Sequence, residues 1–125
     1  MELITHSQAP VFEAGGTTVT AYAAPSRGAT ELSVWRIELA PGSTSPLHKM
    51  DCEEVFLGMQ GQAIADVGGV EHLLEAGDCL IIPADTPFTM RVPGDTPFHA
   101  VACITAGGVA TMVPEGTTIV PPWTA

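Results

Sequence analysis

Residues 42–61 read GSTSPLHKMDCEEVFLGMQG, and this stretch decides how the rest of the chain is read. A glycine opens it and a glycine closes it. Between them stand His48, Met50 and Glu54, the one concentration of chemically versatile side chains in an apolar chain punctuated by glycine and proline. Residues two apart in a strand point the same way, so His48 and Met50 share a face. Glu54 to Gln60 continues as a second β-prone run.

The period of two extends in both directions. Upstream, Ser33, Trp35, Ile37 and Leu39 alternate with Leu32, Val34, Arg36 and Glu38, which predicts a strand with one wetter face. Val19 to Ala23 is β-prone after the Gly15-Gly16 break. Downstream, Gln62 to Val67 and Val70 to Leu74 flank Gly68-Gly69, the pattern of a tight hairpin. Cys79 to Ile82 ends at Pro83, which has no N–H to give a ladder. Phe88 to Val92 and Pro97 to Thr105 are separated by the turn residues Pro93-Gly94-Asp95, and Val109 to Val113 gives a last short strand. No stretch has the period of an amphipathic helix. Eight to ten short strands at this spacing predict an all-β sandwich or barrel.

The chain has 125 residues, enough for one domain with a real core, and a hydrophobic share of 46% that argues against disorder away from the ends. Only 14% of residues are charged, a sparse surface that a second copy of the chain would explain, so a homodimer is expected. The formal charge is −10, with four cations, Arg27, Arg36, Lys49 and Arg91. A phosphate backbone or an anionic membrane surface would be repelled, so neither nucleic acid nor membrane is an expected partner. The charge reads as solubility. No apolar run reaches the ~20 residues of a membrane helix, and the N-terminus lacks the apolar segment of a secretory signal. Three cysteines without CxxC spacing fit a reducing cytoplasm better than a disulfide framework.

The two glycine-framed patterns resemble those of the cupins. The first cupin motif runs Gly, five residues, His-x-His, three or four residues, Glu, six residues, Gly. Here it reads Gly42, His48, Lys49, Met50, Glu54, Gly61 at those spacings. The second runs Gly, five residues, Pro-x-Gly, two residues, His, and here reads Gly77, Pro83, Ala84, Asp85, Phe88. The resemblance implies an antiparallel double-stranded β-helix, the jelly-roll barrel of RmlC-like proteins. It implies one domain over residues 1–125 with the barrel core at about 30–113. The N-terminal strand region and the Pro121-Pro122-Trp123 tail are expected outside the barrel or at the dimer contact, with Trp123 as a clamp.

In metal-binding cupins three His and one Glu commonly hold the ion. Here Met50 and Phe88 stand at two of the His positions, leaving His48 and Glu54. A thioether is a weak donor and a phenyl ring donates nothing, so a tight Zn, Ni or Fe site is not expected. A weak or unusual divalent site on His48 and Glu54, with Cys52 or His99 as a conceivable third donor, stays open as an alternative.

Glu54 and His48 are the candidate catalytic residues. A carboxylate in an apolar barrel is costly unless paired, and the simplest expectation is a hydrogen-bonded His48–Glu54 pair. Glu54 would then act as general base, with His48 as its partner or as general acid. Met50, Phe88 and Phe56 are expected to line the pocket. Trp35 and Met90 fit plain core or pocket lining. Gly58, four residues after Glu54, marks either a bulge or vacated pocket volume. Arg36 and Arg91 read as solvated exterior charge, with anchoring of an anion at the barrel mouth as the alternative. The expected function is small-molecule binding, with metal-independent acid/base chemistry of the isomerase, cyclase or lyase type, or binding without turnover.

Overall fold

Every strand expected above forms, and the remaining ones come from segments too short or too polar to show a period. The structure is a computed structural model describing residues 1–125. Twelve strands run β1 Val11–Ala14, β2 Thr17–Ala23, β3 Leu32–Leu39, β4 His48–Met50, β5 Glu54–Gln60, β6 Gln62–Val67, β7 Val70–Glu75, β8 Cys79–Ile82, β9 Phe88–Arg91, β10 Phe98–Thr105, β11 Ala110–Met112 and β12 Thr118–Ile119. The only helical pieces are two single 3₁₀ turns, Pro25–Arg27 and Pro122–Thr124. The expected eight to ten strands are thus corrected to twelve. β1 and β12 are four and two residues long, below the length at which alternation can be read.

Two six-stranded sheets result, in the orders β1-β2-β3-β10-β5-β8 and β12-β11-β4-β9-β6-β7. All pairings are antiparallel. This is the jelly-roll arrangement. The chain alternates between sheets as it proceeds, so β4 and β5, neighbours in sequence, face each other across the interior. That is why the 42–61 stretch contributes to both walls.

The inward residues of β3, β5 and β10 form the core. Trp35, Leu39, Phe56, Phe98, Ala100, Ala102 and Ile104 join one buried apolar cluster. Burying each large side chain of this kind stabilises by roughly 1.5–3 kcal/mol. The alanines of β10 keep that wall thin, which leaves space between the sheets unfilled.

The glycine framework has physical reasons. Gly61 has φ 75°, and a Cβ there would run into the Pro97 carbonyl oxygen, so the β5–β6 corner requires glycine. Asp85 occupies the position where the second motif carries glycine and adopts φ 60° itself. Aspartate is among the side chains that tolerate this region. Its N–H donates to the Met50 carbonyl (2.7 Å), tying the second motif to the first.

Candidate functional site

Between the sheets lies a cavity of about 830 Å³ lined mostly by apolar side chains, within the usual range for a small-molecule site. Strand register assembles it. His48 on β4 pairs with Phe88 on β9 and Met112 on β11, and Met50 pairs with Ala110. Glu54 at the head of β5 lies between Ile104 and Ile82. His48, Met50, Glu54, Phe56, Phe88, Met90 and Trp35 all line this one cavity.

His48 and Glu54 do not form the expected pair. The His48 Nδ1–H donates to the Pro46 carbonyl oxygen at 2.9 Å. A carbonyl only accepts, so Nδ1 carries the proton and Nε2 is left as the free nitrogen. Glu54 Oε1 is fully buried and has no hydrogen-bond partner. The physical reason is local: Pro46 is two residues upstream on the same segment, and its carbonyl captures the ring before the opposite wall is reached. A second effect follows from burial. Glu54, 4% exposed, is pushed up to about 8 by desolvation, so it is protonated at neutral pH. Burial pushes the His48 imidazole below its ordinary value, partly offset by the Pro46 bond, so the ring is neutral. In these states the Glu54 carboxyl can donate a proton and His48 Nε2 can accept one.

The aromatic wall is continuous. The His48 and Phe88 rings lie 4.5 Å apart, tilted at 51°, and Phe88 meets Phe56 edge-on at 5.9 Å. Phe88 thus fills the space beside the imidazole with a ring that cannot donate. The residues present do not fit a divalent ion. Nowhere in the chain do three His, Cys, Asp or Glu side chains converge for a metal. Met50 and Phe88 offer at most one weak thioether donor. Cys52 stays outside the cavity wall, half-buried against the core.

Gly58 is corrected. It does not line the cavity. A Cβ there would strike the Glu75 carbonyl oxygen, and its own N–H and carbonyl bond to Asp78 and Gly77 at 2.9 and 2.8 Å. Its bareness admits the backbone of the β7–β8 turn. A register shift follows directly after it, opposite His99/Ala100, so the bulge reading describes this corner.

Two segments contribute more to the cavity than the sequence suggested. Val11, Phe12 and Glu13 of the N-terminal strand region and Pro121, Pro122 and Trp123 of the tail form part of the cavity wall. Trp123 meets Phe12 edge-on at 6.3 Å. The tail is held by Ser33 Oγ donating to the Thr124 carbonyl (2.7 Å), by Ser26 Oγ donating to the Ala125 carbonyl (2.6 Å) and by Arg27 Nη2 donating to the Trp123 carbonyl (3.3 Å). Ser33 lies in the inward row of β3 but is polar, the one signal in the sequence that something polar must meet it there.

His99 and Arg36 lie on the outer face of the first sheet. Arg36 Nη2 donates to His99 Nδ1 (2.9 Å), and His99 Nε2 lies 3.4 Å from Glu38. Arg91 pairs with Glu71 at 3.0 Å on the exterior. Neither arginine reaches the cavity.

Comparison with known proteins agrees with this architecture. A family model described as a cupin domain matches residues 35–104. Among curated relatives, auxin-binding protein 5 of Zea mays is 29% identical over 83 residues, covering 66% of this chain and 55% of that protein. The chain thus spans about half the length of that relative. Among solved structures, the polyketide cyclase RemF of Streptomyces resistomycificus superposes with a TM-score of 0.78 at 14% identity, covering 98% of this chain and 88% of that one. A sugar phosphate isomerase from Silicibacter pomeroyi superposes with a TM-score of 0.69 at 21% identity, over 82% and 69% of the two chains. These structural likenesses bear on the fold.

Proposed function

The chain belongs to the cupin domain family, and on that premise we propose that its barrel receives a small molecule on which Glu54 and His48 move protons without a metal. The observation that carries this is the unpaired Glu54 carboxyl, buried in a cavity wall that also holds the free Nε2 of His48. Leaving a buried carboxyl oxygen without a partner costs about 1–3 kcal/mol. Such a group is retained most readily where a ligand supplies the partner. In the proposed step His48 Nε2 takes the proton from a carbon next to a carbonyl, and Glu54 gives its proton to the carbonyl oxygen. An enol forms, with Glu54 left as carboxylate and His48 as imidazolium. Returning the proton to a different carbon gives an isomerisation, and attack by the enol carbon on a second carbonyl gives a cyclisation. The cyclase and isomerase among the structural neighbours support this class.

The test is deuterium incorporation from D₂O next to the carbonyl of a panel of aryl ketones, followed by NMR. Incorporation that depends on the protein and disappears in Glu54→Gln and His48→Gln supports the proposal. Incorporation unchanged in both variants refutes it. A second reading, ligand binding without turnover, is favoured by a relative named for binding. It predicts retained ligand with no exchange.

We further propose a homodimer through the outer face of β5 and β8. Leu57, Met59 and Ile81 are exposed there at 41, 54 and 59%. Light scattering at twice the chain mass, falling to the chain mass in Met59→Lys/Ile81→Lys, checks it. The three free cysteines support a reducing compartment. No helix is long and apolar enough to cross a membrane.

A further inference from the structure

We infer that the molecule this barrel receives carries no net charge and is a flat, largely aromatic compound with a hydroxyl or carbonyl that meets Glu54 and His48. The inference rests on reading the barrel as a ligand site and adds the ligand's charge class.

The cations decide it first. No lysine or arginine lines the cavity. All four are placed elsewhere: Arg27 on the carbonyls of Tyr22 and Trp123, Arg36 on His99, Arg91 on Glu71, and Lys49 on β4 between the two inward residues His48 and Met50. A carboxylate or phosphate ligand would therefore leave water without a fixed positive partner. The neutral Glu54 carboxyl could give it one hydrogen bond but no positive charge, and at the exposed rim it would meet Glu13. An isolated anion in such a setting is strongly disfavoured.

A cationic ligand fails for a different reason. It would require Glu54 to ionise in an apolar wall. Desolvating both partners offsets most of their attraction. An uncharged ligand leaves Glu54 in the protonated state it already has, and needs only to accept its O–H or donate to His48 Nε2. Ser45 Oγ is already engaged by the Met90 N–H at 2.8 Å.

Shape supports the aromatic half of the statement. Phe12, Trp35, Phe56, Phe88 and Trp123 all contribute to the wall, and aromatic rings pack best on other rings.

Three probes of similar outline test the charge class: 1-naphthol, 1-naphthoate and 1-naphthylmethylammonium, each titrated at pH 7 into ¹⁵N-labelled protein. The readout is the shift of the Met50, Glu54 and Phe88 amide signals. The expected result is that 1-naphthol shifts all three signals with at least tenfold tighter affinity than either ion. If 1-naphthoate or the ammonium shifts them as tightly as 1-naphthol, the charge inference is overturned while the ligand site stands. If no probe shifts them, the ligand-site reading falls and takes the inference with it.

Discussion

Glu54 and Glu38 sit on opposite faces of the same six-stranded sheet, each with a histidine in its neighbourhood. Outside, His99 bridges Arg36 and Glu38, one at each ring nitrogen. Inside, Glu54 has no partner, and His48 turns to its own backbone. On the outer face water reaches Glu38, so the contacts add little. On the inner face there is no such reserve, and burial itself resets the protonation states. The same two residue types join a hydrogen-bonded cluster on one side and stand apart as a neutral acid and base on the other. Environment, rather than residue identity, separates a solvated cluster from a chemical one.

The largest effect expected concerns the inner acid. Glu54→Gln removes the proton donor while keeping shape, and should lower aryl-ketone deuterium exchange by about 10²–10⁴-fold. Glu38→Gln should leave exchange unchanged. Equal losses in the two variants would erase the distinction between faces.

Next comes the pH dependence of folding. The Glu54 carboxyl titrates near 8 in the fold and near the ordinary carboxylate value when unfolded. The folded state therefore holds a proton that the unfolded state releases. The stability this proton confers is complete below the unfolded value and is lost as pH rises through that window to about 8. Thermal melts should show wild type losing on the order of 3 kcal/mol against Glu54→Gln between pH 5 and 8. A parallel pH response of the two proteins would place Glu54 in water. His48 acts in the opposite direction: its lowered value makes stability fall below the ordinary imidazole range.

A gain is expected when imidazoles are placed at two further inward positions. Met50→His/Phe88→His should acquire a zinc-dependent rise in stability of about 3 kcal/mol at a hundredfold excess over Kd. Wild type should show none. If zinc leaves the double variant unmoved, the four positions do not converge as the motif spacing implies. The smallest effect belongs outside: Arg36→Ala should cost at most about 1 kcal/mol by urea denaturation and leave exchange intact.

The sequence carries the barrel through backbone requirements. Gly61 and Asp85 mark corners where φ is positive, and such constraints show as residue type at fixed spacing. The inward facing of Met50 and Phe88 is equally legible, because register fixes which residues share a face. The His48–Glu54 relation is not legible. It depends on whether Pro46 or the opposite wall offers the nearer acceptor, a matter of ångströms. Gly58 shows the same limit: its crowding comes from the β7–β8 turn, nearly twenty residues further along the chain. Trp123 and Phe12 meet over more than a hundred residues, and neither end has a pattern that names the other.

That meeting has a practical side. The chain holds two tryptophans, and both stand in the cavity wall: Trp35 3% exposed on β3, and Trp123 half-buried on the C-terminal turn. Indole emission shifts with the polarity around the ring, so the two should contribute a bluer and a redder component to the spectrum. A guest between the sheets would disturb both, and no tryptophan elsewhere in the protein would dilute the signal. The barrel carries its own fluorescent gauge of occupancy, readable without any attached label.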